Sequence, residues 1–259
     1  MPIIAFHDVS RGFSPGITKY PPKRFERLLD FLIACGFRFR RLGEYLESSE
    51  TDGELVITFD DGYRSLLDRA VPAIQARQIP FAIFIPAGFA GKQNRWDYTY
   101  LFNKRAHLTP EELRYLSDSG VEIGSHGMTH ICLTDLSDRL LRLELENSRK
   151  TLEDMTGREV TYLSYPFGRY NERVEVSALD AGYQRGFSLA GFRRSRLGFS
   201  ISRRVVYYHD TLLAVGAKLK SGPLRPVEHI KESILNAYSY GTILYNRLLP
   251  ESWRQPTYR

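Results

Sequence analysis

Cysteine is nearly absent from this chain of 259 residues. Cys35 and Cys132 stand apart, neither in a CxxC pair, and two cysteines do not make a disulfide framework, so a reducing compartment is acceptable. Long apolar runs are missing as well. The N-terminus, Met1-Pro2-Ile3-Ile4-Ala5-Phe6-His7-Asp8, has no basic leader, no apolar core of signal-peptide length and no small-residue cleavage site. Near the C-terminus, Ser233 to Tyr245 contains Asn and Ser and is too short to span a bilayer. These absences make the cytoplasm the expected location. No internal repeat or low-complexity segment interrupts the chain.

Concentrated positive charge is also lacking. The formal net charge is +6, but the short clusters Arg38-Phe39-Arg40-Arg41, Arg193-Arg194-Ser195-Arg196 and Arg203-Arg204 lie far apart in sequence. Nucleic-acid binding needs a basic face with stacking aromatics, so nucleic acid is not an expected partner. An anionic membrane surface or an anionic glycan precursor uses such charge more economically. Apolar residues at 42% and charged residues at 25% exclude neither an enzyme nor a binding module, so pattern has to decide.

The pattern alternates short apolar runs with amphipathic segments. Strands are predicted at Ile3 to His7, Leu55 to Asp60, Pro80 to Pro86, Val121 to Ser125, Val160 to Tyr165, Gly186 to Leu189 and Ile201 to Tyr208. Phe25, Leu28, Leu29 and Leu32 repeat at helical spacing and stop at Gly36. Thr109-Pro110-Glu111-Glu112 supplies an N-cap, a proline at the first helical position and the Glu of a capping box, and Gly120 closes that helix. Leu136 to Met155, Asn171 to Leu179 and Thr211 to Lys220 are predicted helices too. Such alternation implies a mostly parallel sheet, closed as a barrel or open and doubly wound. Reactive side chains at the carboxyl ends of several strands favour the α/β class with a closed (β/α) barrel in residues 1–220.

Two regions stand outside this alternation. Residues 87–108 form an insertion holding Asn94, Trp96, Asp97 and Tyr98, read either as a substrate-facing loop or as an Ω-loop packed by its own aromatics. Residues 221–259 form a tail with a predicted helix from Pro226 to Leu249. It packs back on the barrel or on a partner, and Arg247 and Arg254 beside its Ile, Leu and Tyr residues also suit peripheral contact with a membrane.

The chemistry sits in two short motifs. Thr58-Phe59-Asp60-Asp61-Gly62-Tyr63 ends one apolar run with a carboxylate pair, and Ser125-His126-Gly127-Met128-Thr129-His130 ends another with histidines four residues apart. Alone, Asp-Asp-Gly often marks an exposed turn and HxxxH a surface helix. Together, at the ends of two strands, they supply three ligands for a divalent metal and one general base, the requirements of metal-assisted hydrolysis. Histidines at i and i+4 converge on one side of a helical turn, and the chain turn before Gly62 lets both carboxylates reach one cavity.

These motifs, with Tyr165-Pro166-Phe167-Gly168 and the opening Ile4-Ala5-Phe6-His7-Asp8, resemble those of the polysaccharide deacetylase family, the NodB-homology carbohydrate esterases. The similarity runs from about residue 1 to about residue 220. It implies a distorted, usually seven-stranded β/α barrel that removes N-acetyl or sometimes O-acetyl groups from an acetylated sugar of a glycan or glycoconjugate. It further implies Asp60 as general base, Asp61, His126 and His130 as ligands of a divalent metal, zinc foremost, and Phe167 as donor of a backbone N–H to the oxyanion, with Pro166 shaping that turn. Tyr63 and Trp96 are candidates to stack on a sugar ring and His7 to line the cavity, while His107 and His229 read as surface residues.

The chain departs from the family pattern in its supporting residues. Ser164 stands where an Arg usually orients the base, with Arg203 or Arg204 as replacements in space, and Gly127 stands where Ser or Thr is common. The expected Asp-Trp motif is absent. His209 is the candidate acid for the leaving group, although Asp210 beside it also reads as a helix N-cap. Two other readings stay open: an imide or cyclic-amide hydrolase on the same barrel, and a binding protein that keeps a metal without turnover. Oligomeric state is not legible.

Overall fold

A computed structural model describes residues 2–12, 18–49, 51–94, 104–189 and 195–219. Trp96, Asp97 and Tyr98 and the tail 221–259 lie outside the described residues. The strands are β1 (Ile3–Phe6), β2 (Asp8–Val9), β3 (Lys19–Tyr20), β4 (Arg38–Phe39), β5 (Glu54–Phe59), β6 (Phe81–Ile85), β7 (Glu122–Ser125), β8 (Tyr162–Ser164), β9 (Arg185–Leu189) and β10 (Ser200–Val205). The helices are α1 (Pro22–Ala34), α2 (Leu42–Glu47), α3 (Ser65–Gln75), α4 (Pro110–Asp118), α5 (Asp138–Thr156), α6 (Glu172–Asp180) and α7 (Leu212–Leu219).

Strands β5 to β10 pair in sequence order, all parallel, and β1 closes the ring by pairing with both β10 and β5. The result is a seven-stranded parallel barrel, with β4 added outside β5 and β2 pairing only with β3. Its distortion is plain at β7 and β8, which share one register pair, Ser125 with Leu163. All seven predicted strands fall on barrel strands.

The period of two along each strand separates two cores. Leu55, Ile57 and Phe59 of β5 and Phe81, Ile83 and Ile85 of β6 face the helices. Val56, Ala82 and Phe84 instead join Ile3 and Phe187 in a smaller interior cluster. Leu42 and Tyr45 of α2 enter that interior cluster, and the backbone N–H groups of Leu42 and Gly43 donate to Glu122 at the start of β7. Helix α2 therefore closes the amino end of the barrel, which leaves the carboxyl end for chemistry.

Local signals explain the helices. In α4 both halves of the capping box form: Thr109 Oγ1 accepts from Glu112 N at 3.2 Å and Glu112 Oε2 accepts from Thr109 N at 2.9 Å. Gly157 ends α5 in the left-handed conformation, φ 69°. Two helices escape sequence reading. Helix α2 is too short to show periodicity, and α3 carries Pro72 inside, where burial of Leu66, Ala70 and Ile74 outweighs the lost backbone hydrogen bond. Asp210 is not the cap of α7: its carboxylate turns inward to Lys218 Nζ at 2.6 Å and Tyr207 N at 2.8 Å, and Thr211 Oγ1 accepts from Ala214 N instead.

Candidate active site

The alternation that faces Val56 and Thr58 into the barrel also faces Asp60 inward, at the mouth beyond β5. Its carboxylate is 1% exposed and is held by a fork from β10: Arg203 Nη1 donates to Oδ1 at 2.8 Å and Nη2 to Oδ2 at 2.7 Å. Nη2 also donates to Ser164 Oγ, which donates to Asp60 Oδ2 at 3.1 Å, and Nη1 donates to Thr58 Oγ1 at 3.0 Å. Arg203 is fully buried, its guanidinium 5.0 Å from the ring centre of Phe84 and 5.8 Å from that of Phe187. Arg203 thus fills in space the place that Ser164 leaves empty in sequence. Burial alone would raise the Asp60 carboxyl, but the charge and hydrogen bonds of Arg203 hold it below the usual carboxylate range.

Alternation would send Asp61 to the opposite face, but its backbone is left-handed, φ 67°, followed by Gly62 at φ 59°, and this turn brings its carboxylate to the same mouth as Asp60. Asp61 Oδ1 lies 3.2 Å from His130 Nε2 and 3.5 Å from His126 Nε2, all three residues being buried. A tetrahedral zinc with bonds of about 2.0–2.1 Å spaces its ligands about 3.3–3.4 Å apart, close to these two separations, and all three ligand atoms lie within 4.8 Å of one another, a donor set that such an ion can draw together. The tautomer fits too. His126 Nδ1 donates to the Ser164 carbonyl at 2.8 Å, which leaves the Nε2 lone pair toward Asp61. Burial lowers the His126 pKa to about 4, against the pull of Asp60 and Asp61, so the ring is neutral as a ligand must be. For Asp61 burial opposes ionisation, but its hydrogen bond with His130 and the polar imidazoles around it hold its carboxyl far below the usual range.

The histidines do not converge on a helical turn. Residues 126–130 form a loop in which Gly127 (φ 76°) and His130 (φ 57°) are left-handed, and the chain bends at Met128 and Thr129 between them. The Gly127 and Met128 carbonyls accept from Ala87 N and Gly88 N, each at 2.9 Å, which docks this loop on the start of the insertion. Phe167, also left-handed at φ 60°, lies in the turn Pro166–Gly168 with its ring edge-to-face on His130 at 4.9 Å. A Cβ on Gly168 would meet Leu189 at 2.7 Å, so only glycine lets this turn seat against β9.

The remaining residues divide. His7 sits at the carboxyl end of β1, half-buried, near both Asp60 and Asp61, with Nδ1 enclosed and without a partner. His209 lies in an exposed turn with its ring against Tyr208 at 5.4 Å. Tyr63 is 2% exposed, under His107 at 5.0 Å and Arg105 at 5.2 Å, so it packs the turn and does not offer a face to a sugar. His107 is not a surface residue. It is 1% exposed, and its Nδ1 donates to the Asp61 carbonyl at 2.7 Å. Burial lowers its pKa to about 4. The capping signal that begins at Thr109 marked the end of the insertion, but nothing in sequence paired that end with residues 61–64.

A sequence profile of the polysaccharide deacetylase family matches residues 47–186. The Bacillus subtilis (strain 168) protein YxkH, assigned to the polysaccharide deacetylases provisionally, is 29% identical over 191 residues, covering 72% of this chain and 63% of its own. A poly-beta-1,6-N-acetyl-D-glucosamine N-deacetylase of Staphylococcus aureus (strain MRSA252) is 24% identical over 179 residues, covering 64% and 59%. The chain thus spans less than two thirds of the length of these two curated relatives. Among solved structures, IcaB from Ammonifex degensii superposes with a TM-score of 0.71 at 21% identity, covering 85% of this chain and 97% of that one.

Proposed function

This chain belongs to the polysaccharide deacetylase family, and from that membership we propose that it is a metal-dependent hydrolase removing the acetyl group from the nitrogen of an acetamido sugar in a glycan or glycoconjugate. The observation that carries the proposal is the pairing of an Arg-anchored carboxylate, Asp60, with the triangle Asp61, His126 and His130 beside it. The named activity of the Staphylococcus aureus relative, N-deacetylation of an N-acetylglucosamine polymer, supports the substrate class.

In this reading Asp61, His126 and His130 hold a divalent ion, zinc foremost among the transition metals. When bound, it polarises the acetyl carbonyl and makes water a stronger nucleophile near neutral pH. Asp60 takes the proton from the attacking water, since Arg203 keeps it ionised and fixes its direction. The Phe167 N–H serves the oxyanion from its left-handed turn; a well-placed donor of this kind is worth about 3 kcal/mol. The leaving nitrogen needs a proton, and His7, with one ring nitrogen enclosed beside both carboxylates, suits that role better than the exposed His209.

The test is acetate release from N-acetylglucosamine oligomers by the purified chain, before and after chelation and after zinc is restored. We expect release that chelation abolishes and zinc restores, and a loss of about 100-fold or more in Asp60→Asn with zinc still bound. Turnover of cyclic imides without acetate release, or zinc uptake without any turnover, would overturn the proposal.

A further inference from the structure

Helix α5 buries a carboxylate where packing calls for none. Its inward face carries Leu141, Leu145 and Leu152, and among them Glu144 is 0% exposed. Sealing a carboxylate in an apolar layer is costly unless hydrogen bonds offset it. Those bonds come from the loop between the two histidines: Glu144 Oε1 accepts from Met128 N at 2.8 Å and Thr129 N at 2.6 Å, and Thr129 Oγ1 donates to the same carboxylate at 2.9 Å. One turn along α5, Ser148 bonds Ser125 Oγ at 2.9 Å, and Ser125 Oγ accepts from Gly127 N at 3.1 Å. Tyr183 Oη joins this chain at Ser148. Two residues at i and i+4 therefore grip residues 125–129 from the helix side.

The same geometry accounts for Gly127. A Cβ there would lie 3.1 Å from Glu144 Oε1, and the φ of 76° disfavours any side chain. A side chain at 127 would press on the carboxylate that steadies this loop, which would have to give by a few tenths of an ångström.

We propose that Glu144 is the positioning residue of the imidazole pair: anchored in α5, it fixes the bend at residues 128–129 that brings His130 Nε2 to face Asp61 Oδ1 alongside His126. This rests on the reading of Asp61, His126 and His130 as ligands. It predicts that side-chain length matters more than charge. Glu144→Gln keeps an acceptor oxygen at the same reach, whereas Glu144→Asp keeps the charge and falls a methylene short.

Zinc affinity of the full chain is measured by competition with a chromophoric chelator, alongside the visible spectrum of the cobalt-loaded protein and the thermal midpoint of the chelated protein. Wild type takes up one zinc. Glu144→Gln stays within about threefold of wild type. Glu144→Asp loses about 10–100-fold in affinity, the range typical of residues that orient metal ligands, with a changed cobalt spectrum. Lowered thermal midpoints with unchanged zinc affinity and spectrum would make Glu144 merely structural. A loss in Gln but not in Asp would make its charge, and not its reach, the cause, and either result overturns the proposal. A wild-type chain that binds no zinc would instead remove the metal reading, and this brace with it.

Discussion

Asp60 and Asp61 are neighbours in sequence and both buried, yet they are held by opposite means. Asp60 is gripped by its side chain from inside the barrel, where Arg203 meets both oxygens and Ser164 one of them. Asp61 is gripped by its backbone from the insertion side, where His107 holds its carbonyl and Leu108 N donates to the next carbonyl, Gly62, at 2.9 Å. The difference matches what each group is proposed to do. A base needs a fixed charge and direction, and a guanidinium fork supplies both. A metal ligand needs its oxygen left for the ion, so its support has to act elsewhere.

The hardest way to break the contrast is to remove the fork. Arg203→Met leaves Asp60 buried and uncompensated, so we expect about 3–5 kcal/mol of lost stability in denaturant unfolding. Deacetylation should fall about 100-fold or more, as for loss of the base itself. Asp60→Asn combined with Arg203→Met should recover most of the stability and none of the activity. Arg203→Lys keeps a positive charge without the fork; full activity there would show that charge alone suffices and would sink the positioning argument.

Arg203 also marks how far sequence reaches. The carboxylate and histidine motifs were legible because each ends a predicted strand, but which carboxylate faces the barrel interior was set only by the structure. Arg203 and Arg204 were equivalent as letters; only the register of β10 against β9 and β1 points the first of them inward. The helical reading of His126 and His130 failed because Gly127 and His130 take left-handed backbone, which no spacing rule reveals. Glu144 was hidden for a simpler reason. An acidic residue in an amphipathic helix reads as solvent-facing, and its partners are backbone N–H groups that leave no trace in side-chain pattern.

A smaller effect probes the backbone side. His107 has a folded pKa near 4, below the ordinary 6.5 of the imidazole, so between those values the unfolded chain binds the proton more tightly. Its contribution to stability is complete above about pH 6.5 and is lost as pH falls toward 4, an effect of about 2–3 kcal/mol. His126 shifts in the same direction. Urea midpoints of the chelated protein should therefore rise between pH 4.5 and 7, and His107→Gln should reduce that slope without abolishing it. An unchanged slope in the variant would show that His107 is not buried against Asp61 in the folded chain.

The smallest change gives the sharpest separation, because Ser164 touches both halves by different atoms. Its hydroxyl lies between Arg203 and Asp60, and its carbonyl accepts from His126 Nδ1. Ser164→Ala deletes the first contact and keeps the second, since a backbone carbonyl survives the substitution. Arg203 still reaches both Asp60 oxygens, so about 1 kcal/mol is lost, a fewfold fall in turnover. Zinc affinity should stay at the wild-type value, as His126 keeps the hydrogen bond that sets its tautomer. If zinc affinity fell in step with turnover, the base and the ligands would form one coupled network through Ser164, and the division between a side-chain grip and a backbone grip would have to be given up.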